Sequence, residues 1–249
     1  MMDKRLLEVV NLTKYFYQLP ALKGVDLHVN KGELLGLIGP NGSGKTTLFN
    51  CVTGVLRSSD GRVFFKGKDI TNAKPDAIYK RGIGRTFQLV QLFPEMTVLD
   101  NMTVAIQESQ GTMLSRLFMI SEAENREKGE ALLDFLRISH LKDEYAKNLS
   151  YGQQKLLDLG MALMSDPELI LLDEPLAGVN RSLVREIIDR IRELNEQLGC
   201  TFIIIEHDMP VVMNLCERLI VLDYGEKIAE GKPKEIQNNE RVLKAYFGG

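Results

Sequence analysis

The sequence predicts an α/β protein: a parallel sheet with helices on both sides, an antiparallel β unit near the N-terminus and a helical insertion in the middle. Three observations carry this. Short apolar runs at 34–38, 169–172 and 201–205 alternate with segments of helical period, as strand–helix–strand crossovers require. Residues 6–30 alternate apolar and polar positions instead, the period of strands with one buried face. Between about 89 and 165 the signals are helical, with almost no strand.

Taken in chain order, Leu7, Val9, Leu27 and Val29 mark antiparallel strands, with turns at Leu19-Pro20 and Val25-Asp26. Tyr15, Phe16 and Tyr17 cluster here. Leu34, Leu35, Leu37 and Ile38 read as a buried strand, followed by a glycine-rich turn and a helix opening at Lys45 or Thr46. Residues 58–61 turn, 62–65 form a strand and Gly67-Lys68-Asp69 turns again, so these strands join the N-terminal sheet. A short helix follows Pro75, and 84–87 return as a strand ending at Gln88. Thr97 and Asp100 open a helix, and Ser121 with Glu124 forms a capping box ahead of Leu132, Leu133 and Leu136. Residues 107–120 fit either a mobile loop or a short amphipathic helix.

Ser150 and Gln153 make a second capping box, opening a helix that runs to about Met164. The apolar strand at 169–172 ends in Asp173-Glu174-Pro175. A helix at about 182–198 places Leu183, Ile187, Ile191, Leu194 and Leu198 on one face and stops at Gly199. The strand at 201–205 ends at Glu206-His207. Residues 219–222 and 226–229 form a hairpin across Tyr224-Gly225, and a terminal helix lies near 241–247.

Composition narrows the function. The 249 residues carry 31 Lys and Arg against 34 Asp and Glu, a net charge of −3, which makes no general case for nucleic acid as a partner. The apolar runs are too short to span a bilayer, and the first ten residues lack the pattern of a secretory signal. Cys51, Cys200 and Cys216 are widely spaced and odd in number, which suits free thiols in a reducing compartment.

The chemistry centres on 34–48, LLGLIGPNGSGKTTL. Its G-x-x-x-x-G-K-[ST] pattern, with Gly39, Gly44, Lys45 and Thr46, is a P-loop, whose backbone N–H groups face nucleotide phosphates. Asn41, Gly42, Ser43 and Thr47 complete the cradle. Lys45 reaches the β- and γ-phosphates and the Thr46 hydroxyl ligates Mg²⁺. Gln88, Asp173-Glu174 and His207 stand at the carboxyl ends of apolar strands, the edge on which the P-loop lies in a parallel sheet. Asp173 is placed to hold Mg²⁺, directly or through water, and Glu174 to orient and deprotonate the attacking water. His28 and His140 have no such context. No His and Cys spacing suits a metal, so Mg²⁺ carried by the nucleotide is the one metal expected.

These residues closely resemble the ATP-binding subunits of ABC transporters over nearly the whole chain. The carriers are GPNGSGKTT at 39–47, TFQ ending at Gln88, LSYGQ at 149–153, LILLDEP at 169–175, AGVN at 177–180 and IIIEHD at 203–208. The resemblance implies a P-loop NTPase (RecA-like) core with an antiparallel β subdomain and an inserted helical subdomain. The core and β subdomain would take 1–88 and 166–249, and the helical subdomain 89–165. It implies ATP buried between two such subunits, a homodimer or a heterodimer with a related ATPase. Ser150, Gly152 and Gln153 would face the nucleotide of the other subunit, Phe16 would stack on adenine with Tyr15 as the alternative, and Gln88 would contact Mg²⁺ and water. Glu174 would be the base and His207 the γ-phosphate contact. The chain departs from the family pattern at Tyr151, where a glycine is usual, at Asn180, where an aspartate is usual, and near Gly160-Met161, where an arginine is common.

Within the family, GIGRTFQLVQLFPEMTVLDN, YGQQ and the terminal KAYFGG are similar to the ATPases of branched-chain amino-acid importers. The implied protein is a peripheral ATPase on the cytoplasmic face of the cell membrane. Its partners would be integral-membrane permease subunits and an extracytoplasmic solute-binding protein. The alternatives are an ABC subunit for another substrate, such as urea or a lipid, or a soluble ABC ATPase of a non-transport assembly such as iron–sulfur assembly.

Overall fold

The structure, a computed structural model, describes residues 4–106 and 122–247. The expectations at 107–120 and the Ser121 cap lie outside the described residues. Two sheets organise the described chain. In the first, β1 (Arg5–Phe16) pairs antiparallel with β2 (Leu19–Asn30) and β4 (Asp60–Phe65), and β5 (Lys68–Asp69) completes the order β2-β1-β4-β5. The second has the order β10-β9-β3-β8-β7-β6, built from β3 (Leu34–Ile38), β6 (Ile83–Arg85), β7 (Leu169–Asp173), β8 (Thr201–Ile205), β9 (Arg218–Asp223) and β10 (Glu226–Gly231). All its pairings are parallel except β9 with β10 at the edge.

Every residue of β3, β7 and β8 is buried, which is why these strands read as continuous apolar runs and not as alternation. Successive residues of a pleated strand face opposite sides. Leu35, Leu37, Leu169, Leu171, Ile203 and Ile205 accordingly pack toward the antiparallel sheet and α1 (Lys45–Val52). Ile38, Ile170, Leu172, Phe202 and Ile204 pack on the other side against the helices. Those helices are α3 (Val98–Val104), α4 (Glu122–Phe135), α5 (Tyr151–Leu163) and α6 (Arg181–Leu198). The short α2 (Pro75–Tyr79) precedes α3, and α7 (Met209–Leu215), α8 (Pro233–Gln237) and α9 (Glu240–Phe247) follow α6.

The helix starts have local causes. Thr97 accepts from the Asp100 N–H at 3.1 Å to open α3, and the Ser150–Gln153 capping box opens α5. Asn180 accepts from the Leu183 N–H at 3.0 Å to open α6, which ends on Gly199 in the left-handed region at φ 66°.

Four expectations are corrected. The turns expected at Leu19-Pro20 and Val25-Asp26 are strand, since β2 runs from Leu19 to Asn30 and the chain reverses before it, at Tyr17 with φ 56°. The strand expected to end at Gln88 ends at Arg85, because Phe87 turns over the Arg85 guanidinium, 4.9 Å from its ring centre, and the Gln88 carbonyl accepts from Lys155 of α5. Leu198 does not share the buried face of α6 but is 63% exposed in its last turn. Residues 68–69 are strand, since the turn sits one residue earlier: Lys66 and Gly67, at φ 51° and 71°, make the two-residue left-handed turn that suits a hairpin.

Candidate nucleotide site

The phosphate-binding loop leaves β3 at Gly39 and enters α1 at Lys45. A Cβ on Gly39 would stand 2.1 Å from the Leu222 carbonyl oxygen and one on Gly44 2.7 Å from that of Ala21, with both glycines at positive φ, so no other residue fits. The β9–β10 turn closes over the loop, with the Gly225 N–H donating to the Ser43 carbonyl at 3.0 Å. Lys45 is only 6% exposed, and its ammonium donates to the carbonyls of Gly39 (2.7 Å) and Pro40 (2.9 Å). Burial lowers its pKa, and the carboxylates of Glu174 and Asp173 oppose that shift. Asn41, Gly42 and Thr46 are exposed, Thr47 is half-buried and Ser43 is buried. The first-turn N–H groups of α1 have no acceptor within the helix, an arrangement that in general favours anions.

Glu174 is the hub of the strand-end residues. Its Oε2 accepts from Gln88 Nε2 at 3.0 Å and its Oε1 lies 2.7 Å from His207 Nε2. A carboxylate only accepts, so Nε2 carries the proton of that contact. Glu174 holds φ 51°, a conformation that side-chain-bearing residues seldom adopt, and its N–H is taken by the Ile205 carbonyl at 3.0 Å. Gln88, Glu174 and His207, all named from sequence, therefore meet at one carboxylate, although Gln88 stands on the loop beyond β6.

Asp173, beside it, is 2% exposed. Its Oδ2 pairs with Arg85 at 3.2 Å, and its Oδ1 is buried with no hydrogen-bond partner. Burial raises the Asp173 carboxyl, and the Arg85 charge opposes the rise. The free Oδ1, the exposed Thr46 hydroxyl and the Gln88 amide oxygen are hard oxygen donors of the kind Mg²⁺ takes alongside substrate phosphates. Among the described residues no cluster of three or more His, Cys, Asp or Glu could hold a metal ion by itself. The cysteines are free and buried.

Phe16, 42% exposed, ends β1. The β1–β2 register (Tyr15 with Pro20, Phe16 with Leu19) brings it to the hairpin end beside Ala21, whose carbonyl meets Gly44. Ser150, Gly152 and Gln153 are elsewhere: among the described residues no hydrogen bond joins them to the loop or to Glu174. Ser150 and Gln153 satisfy each other, and Gly152 lies under α6, where a Cβ would be 2.0 Å from Leu183 Cδ2. The departures are absorbed locally. The Tyr151 ring packs over Gly178, and Asn180 caps α6.

Sequence reasoning missed three charged residues around this hub. Arg85 also donates to Asn50 (2.6 Å) and Thr53 (3.0 Å), and Lys155 Nζ donates to the carbonyls of Gln88 (2.8 Å) and Glu174 (3.3 Å). Buried Glu206 accepts from the backbone of Leu176 and His207. Their signal is present in the sequence: each is a charge set among the apolar residues of a strand or helix, where it has to find a partner. Among the described residues no helix is long and apolar enough to cross a membrane.

The sequence profile described as ABC transporter matches residues 22–177, and that described as branched-chain amino acid ATP-binding cassette transporter matches 226–249. The probable branched-chain amino acid transport ATP-binding protein LivG of Methanocaldococcus jannaschii is 43% identical, over 98% of this chain and 97% of its own length. The high-affinity LivG of Salmonella typhimurium is 37% identical over 99% of both. A crystal structure of the ADP conformation of an ABC transporter ATP-binding cassette superposes with a TM-score of 0.89 at 42% identity, covering 99% of this chain and 100% of the other. A dimeric bacterial ABC transporter cassette gives 0.79 at 28% identity, over 91% and 98%. The chain therefore belongs to the ABC transporter family, as one of its ATP-binding ATPase subunits.

Proposed function

We propose that this ATPase drives the import of branched-chain amino acids, docked on the cytoplasmic face of the membrane against permease subunits. The names of its relatives and the match at 226–249 support the substrate class. One observation carries the mechanism: a single carboxylate, Glu174, held between Gln88 and His207 at the strand ends facing the P-loop.

The P-loop residues Gly39 to Thr47 bind the phosphates of ATP, and Lys45 exchanges its carbonyl partners for phosphate oxygens. Thr46, Gln88 and Asp173 hold Mg²⁺, which when bound offsets phosphate charge. Glu174 takes the proton of the attacking water, His207 donates to the γ-phosphate, and Phe16 covers the adenine. Ser150 and Gln153 bond each other and Gly152 packs against Leu183, with no hydrogen bond among the described residues to the P-loop or Glu174, which supports their serving a second subunit, identical or related. Residues 1–88 and 166–249 form the nucleotide-binding part, and 89–165 the helical part that meets the membrane partner. A cleft of about 480 Å³ lined by Phe87, Leu92, Phe93 and Met161 lies beside the Gln88 loop and suits that contact. An extracytoplasmic solute-binding protein completes the importer.

The test is Glu174→Gln. Loss of a general base lowers kcat by about 10²–10⁴-fold with Mg-ATP binding retained, and the ATP-loaded variant accumulates as a dimer. Steady-state hydrolysis at the parental rate removes Glu174 as the base. Purification from the native membrane with permease subunits, whose presence stimulates the ATPase, tests the transport assignment.

A further inference from the structure

The last residue of the apolar run before His207 is a carboxylate, and it is buried. Glu206 is 5% exposed, on a chain that has just left β8. Burying a carboxylate is costly unless strong donors meet it. Two do: Oε1 accepts from the Leu176 N–H at 2.8 Å and Oε2 from the His207 N–H at 3.1 Å. These amides belong to two separate loops. Leu176 lies two residues after Glu174, on the loop leading to Asn180 and α6, and His207 begins the loop leading to α7. A second bond, from the Glu174 N–H to the Ile205 carbonyl at 3.0 Å, joins the same loops one step closer to the sheet. The Glu174–His207 contact thus spans a gap whose two sides are tied together beneath it.

We propose that Glu206 is a positioning residue: its carboxylate straps the loop after Glu174 to the loop that carries His207, fixing the base and the γ-phosphate contact against each other. This rests on the roles given above to Glu174 and His207. No neutral side chain of this size does the same. A glutamine has one oxygen, so it accepts from one loop and turns an N–H₂ group toward the donor of the other. Because the loop after Glu174 also holds Tyr151 at Gly178 and Asn180 at the start of α6, the strap carries any shift of that loop directly to His207.

The test compares Glu206→Gln with the parent in two independent measurements. The first is amide hydrogen exchange of peptides spanning 174–179 and 205–209. The second is steady-state ATP hydrolysis, with kcat and KM separated. The strap predicts exchange about tenfold faster in at least one of the two peptides, the one whose amide is released, and kcat about tenfold lower, the effect of one lost charge-assisted hydrogen bond, with KM for ATP changed by less than about threefold. Unchanged protection in both peptides overturns the proposal, and so does a kcat within about twofold of the parent. Should Glu206→Gln fail to fold, Glu206→Asp, one methylene shorter and able to reach one loop, is measured against the same criteria. Glu174→Gln is run alongside: if it hydrolyses ATP at the parental rate the reading of the site fails, while the exchange measurement still decides whether the strap exists.

Discussion

Replacing Asp158 with Asn tests how burial sets the stability of the joint between α5 and the Gln88 loop. Burial raises the Asp158 carboxyl from 3.8 to about 7, against the opposing effects of Lys155 and a hydrogen bond from the Phe87 backbone. Its Oδ2 is buried without a partner. In the unfolded chain the group ionises at the ordinary carboxylate value, so between about pH 4 and pH 7 the folded chain holds the extra proton and stability falls as pH rises. The contribution is fully present below about pH 4 and lost as pH passes about 7. The interval from 3.8 to about 7 corresponds to a penalty of about 4 kcal/mol. Asparagine mimics the protonated form: it retains one oxygen to accept from Phe87 and cannot ionise. Denaturant unfolding of both proteins in steps from about pH 4 to pH 8 should show equal stability at the acid end and a growing advantage for Asp158→Asn, up to about 4 kcal/mol. Asp173 and Glu206, whose carboxyls burial also raises, are common to both proteins and cancel in the difference. A pH-independent difference refutes the burial argument. A variant less stable near neutral pH shows that attraction to Lys155 outweighs it.

Further predictions concern the loop and its supports. Lys45→Ala removes the cation that spans the phosphate loop and should raise the Kd for Mg-ATP at least about tenfold by titration calorimetry; unchanged affinity counts against the phosphate role. Arg85→Ala leaves Asp173 buried without its partner and should cost about 3–5 kcal/mol in denaturant unfolding, so a loss below about 1 kcal/mol would mean the pair is better solvated than its burial indicates. Asn180→Ala removes the cap of α6 at a cost of about 1 kcal/mol, whereas Asn180→Asp should hold the parental melting temperature.

The sequence carried most of the core because β3, β7 and β8 are buried along their whole length and read as apolar runs, while much of β2 alternates. Leu35 and Leu37 on one face, with Ile38 on the other, follow from the pleat alone. Glu174 and His207 meet because β7 and β8 are parallel neighbours whose ends lie together, while Gln88 reaches them from the loop beyond β6 and not from a strand end. What was not legible was set by single side chains acting at long range. The strand at 83–85 stops early because Lys155, nearly seventy residues away, draws off the Gln88 carbonyl. Leu198 fits the helical period of α6, but as the last residue before the Gly199 cap it is left exposed. Arg85 and Lys155 stand out as charges among apolar residues, but what completes them does not: Asp173 and the Gln88 carbonyl lie 88 and 67 residues away, so neither pairing can be named from the local pattern.

The pairing of β3 also sets a schedule for the newborn chain. Its two neighbours in the sheet are β8 and β9, made more than 160 residues later, and the turn that clasps Ser43 lies at Gly225. During synthesis the phosphate loop therefore waits, complete in sequence but unsupported on both sides, until the stretch through Gly225 has cleared the ribosome. Loop closure over such separations is slow, which makes docking of β3 between its two sheet neighbours a late step. Nucleotide held by a ribosome-bound fragment would accordingly rise as a step once residue 225 emerges, not gradually from residue 47 onward.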